Sequence, residues 1–269
     1  MQGAGLPGVC PVCGRQTVFD FPPDYARTMG DALDGLGQER ATVAPGAFLL
    51  RETGPCRQCG AVNRERQVAY FLNATYGLSR PIRFPDNGFT LLNGEASGVL
   101  HAHLARNKGY RCSEFFGPGH APGELVNGVR HEDFQALSLP DNSLDLVITR
   151  DVFEHIPDPY QAHREVWRVL KPGGRHVFTV PFYDQAFEDE VRACRDADGQ
   201  TRFLLPPLYH LNPVDPAGGS LVYTIFSLET LLKLSRLGFL PRLWHLYDPQ
   251  AGILGPNALV LEACKLAGT

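Results

Sequence analysis

Beyond Phe89, short apolar runs alternate with amphipathic stretches, and this pattern predicts strands and helices in turn. Strands are expected at Phe89–Asn93, Tyr110–Phe115, Leu144–Thr149, Arg175–Val180, Pro241–Tyr247 and Ala258–Ala263. Helices are expected near Ser97–Asn107, Tyr160–Leu170 and Ser227–Leu237. Such alternation belongs to an α/β fold with a mostly parallel sheet covered on both faces by helices. The last two strands lie close together, which permits an antiparallel pairing at the end of the sheet. Earlier in the chain, Val68, Phe71, Leu72 and Tyr76 recur at helical intervals and Gly77 follows, predicting a helix over Asn63–Tyr76. The break at Ser79-Arg80-Pro81 divides residues 1–80 from residues 81–269. From Gly3 to about Gly60 the chain is rich in Gly and Pro and has little periodicity beyond a helix-like stretch from Asp24 to Leu36. That portion is too irregular to be held by core burial alone.

Size and charge narrow the picture. The 269 residues exceed the common domain size of roughly 100–150 residues, leaving room for one α/β domain and a smaller module. With 43% hydrophobic and 20% charged residues, the chain is composed like an ordinary globular protein. Its net charge of −4 supplies no general attraction for a nucleic-acid backbone or an anionic membrane. No apolar stretch reaches the roughly 20 residues needed to span a bilayer, and the N-terminus lacks the pattern of a signal peptide, so a cytoplasmic location is expected.

Seven cysteines then matter. In a reducing compartment, closely spaced pairs read as metal ligands rather than disulfides. Cys10-Pro-Val-Cys13-Gly14 and Cys56-Arg-Gln-Cys59-Gly60 are two knuckles of one form. A tight turn presents both sulfurs of each to one tetrahedral ion, and the following glycine lets backbone amides turn toward them. Four thiolates leave no open coordination position, so the expected group is a structural zinc ion; the alternative is four buried or redox-active thiols. Cys112, Cys194 and Cys264 are isolated and read as core or surface residues.

One ordered string is more specific. Leu139-Pro-Asp-Asn-Ser-Leu-Asp145 leads into an apolar strand, Glu154-His155 follows it, and Lys171-Pro-Gly-Gly174 stands between a helical pattern and the next strand. This string resembles class I S-adenosylmethionine (SAM)-dependent methyltransferases of the small-molecule type. The resemblance implies a Rossmann-like sheet, mostly parallel with its last strand antiparallel, and SAM bound across the carboxyl ends of the strands. It places the first cofactor loop at Gly94, Glu95, Ala96 and Gly98, where Ala96 replaces the family's central glycine and Leu92 stands at its usual acidic position. It also implies that Glu114 accepts hydrogen bonds from the ribose, that Asp133 meets the adenine amino group, and that Phe134 packs on the ring. Arg150 is expected to line the same cleft. Both acids otherwise read as solvated loop charges. The chain is further similar to a bacterial subgroup in which a cysteine-knuckle module precedes such a domain.

On the acceptor side, His155, His210 and Asp151 are the candidate catalytic residues, a histidine serving as base if the acceptor needs one. The bland reading of His155 is a helix-capping or core histidine. The resemblance implies that residues 183–223 form a lid over the acceptor. The function expected is methyl transfer to a small molecule such as a sugar or another bacterial metabolite. One alternative is an RNA or protein methyltransferase that reads its substrate through the zinc module, motivated by Arg57, Arg64 and Arg66. The other is a non-catalytic binding protein with a degenerate first loop.

Overall fold

The computed structural model describes residues 5–21, 50–210 and 219–266, and the chain divides into two compact units. One comprises Met1–Phe89, Ser97–Tyr110 and Leu243–Val260; the other comprises Thr90–Ala96, Arg111–Arg242 and Leu261–Thr269. The helix expected between Asp24 and Leu36 lies outside the described residues.

In the first unit, strands β1 (Leu6–Val9) and β2 (Gln16–Phe19) pair antiparallel around the first knuckle. Helix α1 (Asn63–Tyr76) spans the predicted residues and buries Val68, Phe71 and Leu72. Its start is fixed by Glu65, whose carboxylate accepts the Val62 N–H at 3.2 Å. Its end is Gly77, at φ 60°, a left-handed turn that glycine adopts without steric cost. The other oxygen of Glu65 accepts the Leu100 N–H at 3.0 Å, so one buried acid serves both α1 and the short helix α2 (Gly98–Leu104). Arg66 is fully buried and stacks over Phe19 at 4.4 Å. Its guanidinium donates to the carbonyls of Gly54 and Gly252, at 2.6 and 2.8 Å, and to that of Ala61. Burial lowers its pKa to about 10.

The second unit carries the central sheet. Its strands are β3 (Leu91–Asn93), β4 (Tyr110–Glu114), β5 (Leu125–Val126), β6 (Val129–His131), β7 (Leu144–Arg150) and β8 (Leu170–Thr179). Then come short strands β9 (Phe182–Tyr183), β10 (Glu190–Val191), β11 (Ala193–Arg195), β12 (Thr201–Phe203), β13 (Tyr209–His210), β14 (Ser220–Leu221) and β15 (Thr224–Ser227). Strands β16 (Phe239–His245) and β17 (Leu259–Lys265) complete the sheet, whose order is β16-β17-β8-β7-β3-β4-β6-β5. β7 runs parallel to both β3 and β8, β4 parallel to β6, and β17 antiparallel to β8. The expected mostly parallel sheet with an antiparallel last strand is therefore present. Because β3 is the first strand of this sheet and lies between β7 and β4, strand order reverses at its carboxyl end, the place where open α/β sheets hold ligands.

Helix α3 (Pro159–Val169) starts at Asp158, whose carboxylate accepts the Gln161 N–H at 2.9 Å, and it buries Ala162, Val166 and Val169. It ends at Val169, one residue before the expected Leu170. Leu170 already belongs to β8, and Lys171 donates to Asp145 at 2.7 Å, tying β8 to β7. Between β8 and helix α4 (Glu229–Arg236) the described residues form small pairings: β10 with β15, β11 with β12, and β13 with β14. Among the described residues, no helix is long and apolar enough to cross a membrane.

Candidate functional site

At the carboxyl end of β3, Gly94 donates its N–H to the Ile148 carbonyl at 2.8 Å. A β-carbon on Gly94 would lie 3.0 Å from Thr149 Cγ2 and 3.2 Å from Phe134 Cε2, so a side chain there would make these neighbours give way by a few tenths of an ångström. Glu95 forms an ion pair with Arg150, buried at the end of β7. Asn93 fixes the same loop by donating to the Glu95 carbonyl at 2.7 Å. The Ala96 N–H donates to Glu114 Oε1 at 2.8 Å at the end of β4. Burial raises the pKa of Glu114, the Ala96 N–H opposing the rise. Gly98 opens α2 at φ 86° and is counted with the first unit.

Asp133 follows β6 and accepts the Gln135 N–H at 2.8 Å, while Phe134 is buried edge-on to Phe153 at 5.5 Å. Asp151 has φ 52°, an unusual value for a residue with a β-carbon; its N–H bonds the Thr179 carbonyl at 2.8 Å and its carboxylate accepts the Thr179 hydroxyl at 3.0 Å. Thus Gly94, Glu95, Ala96, Glu114, Phe134 and Arg150 share one loop cluster on the carboxyl edge, with Asp133 and Asp151 on the neighbouring strand ends.

On the 3₁₀ turn Phe153–His155 that follows β7, Glu154 is fully buried. Its Oε1 lies 3.7 Å from His155 Nε2 and 3.7 Å from His210 Nδ1, and the two imidazole rings cross at 5.1 Å. His210 arrives there on the β13–β14 hairpin, which is anchored by the Val222 N–H to Leu208 carbonyl bond and by the Tyr223 N–H to Glu154 carbonyl bond. Asp151, two residues before this turn's Phe153, is held by Thr179 at the end of β8. The His155 ring meets the Leu221 carbonyl of β14 at 2.8 Å on one side and its neighbour Glu154 on the other.

In the first unit the two knuckles have one hydrogen-bond pattern. The Gly14 N–H bonds the Cys10 carbonyl and the Cys10 N–H bonds Arg15; the Gly60 N–H bonds the Cys56 carbonyl and the Cys56 N–H bonds Ala61. Gly14 and Gly60 have φ 74° and 81°. One sulfur from each of the four cysteines lies within 4.8 Å of the others, with Cys10 and Cys59 at 3.8 Å. For Zn–S bonds of about 2.3 Å, a tetrahedron has edges of about 3.8 Å, so the donor set and spacing fit zinc. The Cys59 thiol pulls the Cys10 thiol down to about 5 by hydrogen bonding, while its own pKa rises. The basic cluster read from Arg57, Arg64 and Arg66 is not a cationic surface. Arg57 pairs with Asp20 at 2.7 Å, Arg64 pairs with Glu52 at 2.7 Å, and Arg66 is buried.

Sequence reasoning missed Arg66 as a buried cation, the Glu95–Arg150 pair and Glu154 as the centre of the histidine cluster. The signal for the last was present in Glu154-His155, but its partner His210 is distant in the chain.

A sheet with its reversal at β3 and polar groups along that carboxyl edge defines a cofactor-binding α/β protein of Rossmann-like type. A methyltransferase-domain family model matches residues 116–178. A methyltransferase from Mycobacterium sp. (strain JLS), whose own role is uncharacterized, is 35% identical over 190 residues, covering 62% of this chain and 71% of that protein. The chain belongs to the SAM-dependent methyltransferases. An arsenite methyltransferase from Aquipseudomonas alcaligenes is 38% identical over 101 residues, 38% of this chain and 27% of that protein. The chain spans about a quarter of that relative and about half of one from Mycobacterium ulcerans, 52% of which is matched. Among solved structures, the 1,6-didemethyltoxoflavin-N1-methyltransferase of Burkholderia thailandensis aligns with TM-score 0.42 and 17% identity over 94% of this chain and 96% of that one.

Proposed function

We propose that the protein transfers a methyl group from SAM to a small-molecule acceptor, and that its four-cysteine module holds a structural zinc ion. The observation that carries the first reading is the linked loop cluster at the sheet reversal. SAM supplies an electrophilic methyl group on a sulfonium sulfur. Around it, Gly94 lets the backbone approach closely, and the Glu95–Arg150 pair holds the first loop in place although the usual acid at Leu92 is absent. Glu114 has Oε1 occupied by the Ala96 N–H and makes no other hydrogen bond among the described residues, leaving Oε2 for the ribose hydroxyls. Asp133 and Phe134 are assigned to the adenine, Asp133 as acceptor and Phe134 as packing surface. On this reading the chain's work is to orient the methyl group for in-line attack and to exclude water with the segment from β9 to β15.

The reading favours a small acceptor over RNA because the arginines near the second knuckle are spent on local pairs. It is tested by calorimetric titration with SAM and with its demethylated product. Both are expected to bind, and Asp133→Ala is expected to weaken SAM about tenfold, the worth of one charge-assisted hydrogen bond. Absence of binding by either compound at millimolar concentration would remove the enzyme reading and leave a methyltransferase-derived binding protein. An unchanged affinity in Asp133→Ala would remove only the adenine assignment.

A further inference from the structure

Glu154, His155 and His210 form a cluster that methyl transfer alone does not account for. Glu154 is fully buried, yet neither carboxylate oxygen makes a hydrogen bond among the described residues. Leaving such an acceptor bare in the interior costs more than a lost hydrogen bond. His155 Nδ1 lies 2.8 Å from the Leu221 carbonyl. A carbonyl only accepts, so Nδ1 carries the proton, and the lone pair of a neutral ring then sits on Nε2. That nitrogen faces Glu154 Oε1 at 3.7 Å. Two acceptors facing each other over a buried gap repel unless a positive charge stands between them. His210 Nδ1 approaches the same oxygen at 3.7 Å, and one ligand atom from each of the three residues lies within 4.8 Å of the others.

We propose that Glu154, His155 and His210 bind a divalent first-row transition-metal cation, separate from the zinc of the cysteine knuckles. Two imidazoles and one carboxylate make up the ligand set of open catalytic zinc sites and of the facial triad of non-haem iron. Ligand bonds of about 2.0–2.2 Å need donors about 3.0–3.6 Å apart, so the three side chains close on an ion with movements under about 1 Å. The hydrogen bond from His155 to Leu221 is the outer contact that metal-binding histidines use to fix their tautomer. The hairpin β13–β14 supplies both that carbonyl's residue and His210, so one supersecondary element completes the site. Three protein ligands leave open positions for oxygen atoms of an acceptor. Only that last point rests on the methyltransferase reading; the cation site stands without it.

The test titrates Mn2+ into protein already replete with zinc, following the signal of the free ion by electron paramagnetic resonance. Mn2+ prefers nitrogen and oxygen donors over thiolates, so it does not report on the four cysteines. One Mn2+ per chain is expected to bind, and Glu154→Gln, which keeps shape while removing charge, is expected to weaken it at least ~10-fold. His210→Asn, on the half-buried edge of the hairpin, is expected to do the same and serves if the buried variant does not fold. No binding at millimolar Mn2+ would overturn the proposal in favour of a bare imidazolium–carboxylate pair. Wild-type affinity in both variants would overturn it as well. SAM titration of the metal-free protein separates the readings: retained SAM binding with no Mn2+ site leaves methyl transfer standing and removes the cation.

Discussion

Gly94 shows how much one missing side chain decides at the cofactor edge. With Thr149 Cγ2 at 3.0 Å and Phe134 Cε2 at 3.2 Å from the position of an added β-carbon, alanine forces Phe134 to move. Overpacking of this kind costs about 1–3 kcal/mol. Gly94→Ala is therefore expected to lower the melting temperature and to weaken SAM more than the stability loss alone explains, because the displaced ring is the one assigned to adenine. Calorimetric SAM titration beside thermal unfolding checks this, and a variant with normal SAM affinity would detach Phe134 from the cofactor. Glu95 and Arg150 act at the same scale. Arg150 is buried and paired with Glu95, which gives the loop a fixed geometry independent of an acid at position 92.

Among the elements, α1 and the two knuckles are one structural problem. Four thiolates around Zn2+ carry a net charge of −2, and Arg66 is the buried cation of the same unit. Cys10, Cys56 and Cys59 all act to raise its pKa against the larger opposing effect of burial. Removing one partner of a buried charge system typically costs about 3–5 kcal/mol. Arg66→Met is expected to destabilise by that order, also stranding the carbonyls of Gly54, Ala61 and Gly252, and to release zinc to a chelator faster than wild type. Mass spectrometry of metal content and unfolding with and without chelator test both points. One zinc per chain and a chelator-sensitive transition support the site; metal-free protein with an unchanged transition rejects it. These elements also show what the chain revealed. The extent of α1 was legible because its apolar period and Gly77 act locally, and β7 was legible because it is a nearly continuous apolar run, whereas β5 and β6, only two and three residues long, carry no such signal and were not expected. Arg66 was not, because on a helix pattern a buried arginine looks like a solvated one. The His210–Glu154 contact was not, because only the β13–β14 hairpin brings the two together.

Across the second unit, the same core that supports the sheet makes the protein sensitive to acid. His163 is fully buried among Phe153 at 4.4 Å, Phe178 at 5.2 Å and His176 at 5.4 Å, and neither ring nitrogen makes a hydrogen bond among the described residues. Burial lowers its pKa to about 3, and His176 is also held well below the usual histidine value, by burial and then by His163. In the unfolded chain a histidine takes up its proton near pH 6.5, whereas the folded chain refuses it until about pH 3. The stability is thus fully present above pH 6.5 and is lost as pH falls toward 3, at about 1.4 kcal/mol per pH unit for one such group. His163→Leu replaces the ring with an apolar side chain of similar volume, so its stability at pH 7 should stay within about 1.5 kcal/mol of wild type. Its advantage should then grow by about 1.4 kcal/mol for each unit of acidification between pH 6 and pH 4. Denaturant unfolding of both proteins across that range measures the difference. Parallel curves would mean that His163 takes up its proton in the folded state, and that the core around Phe153 opens to admit it.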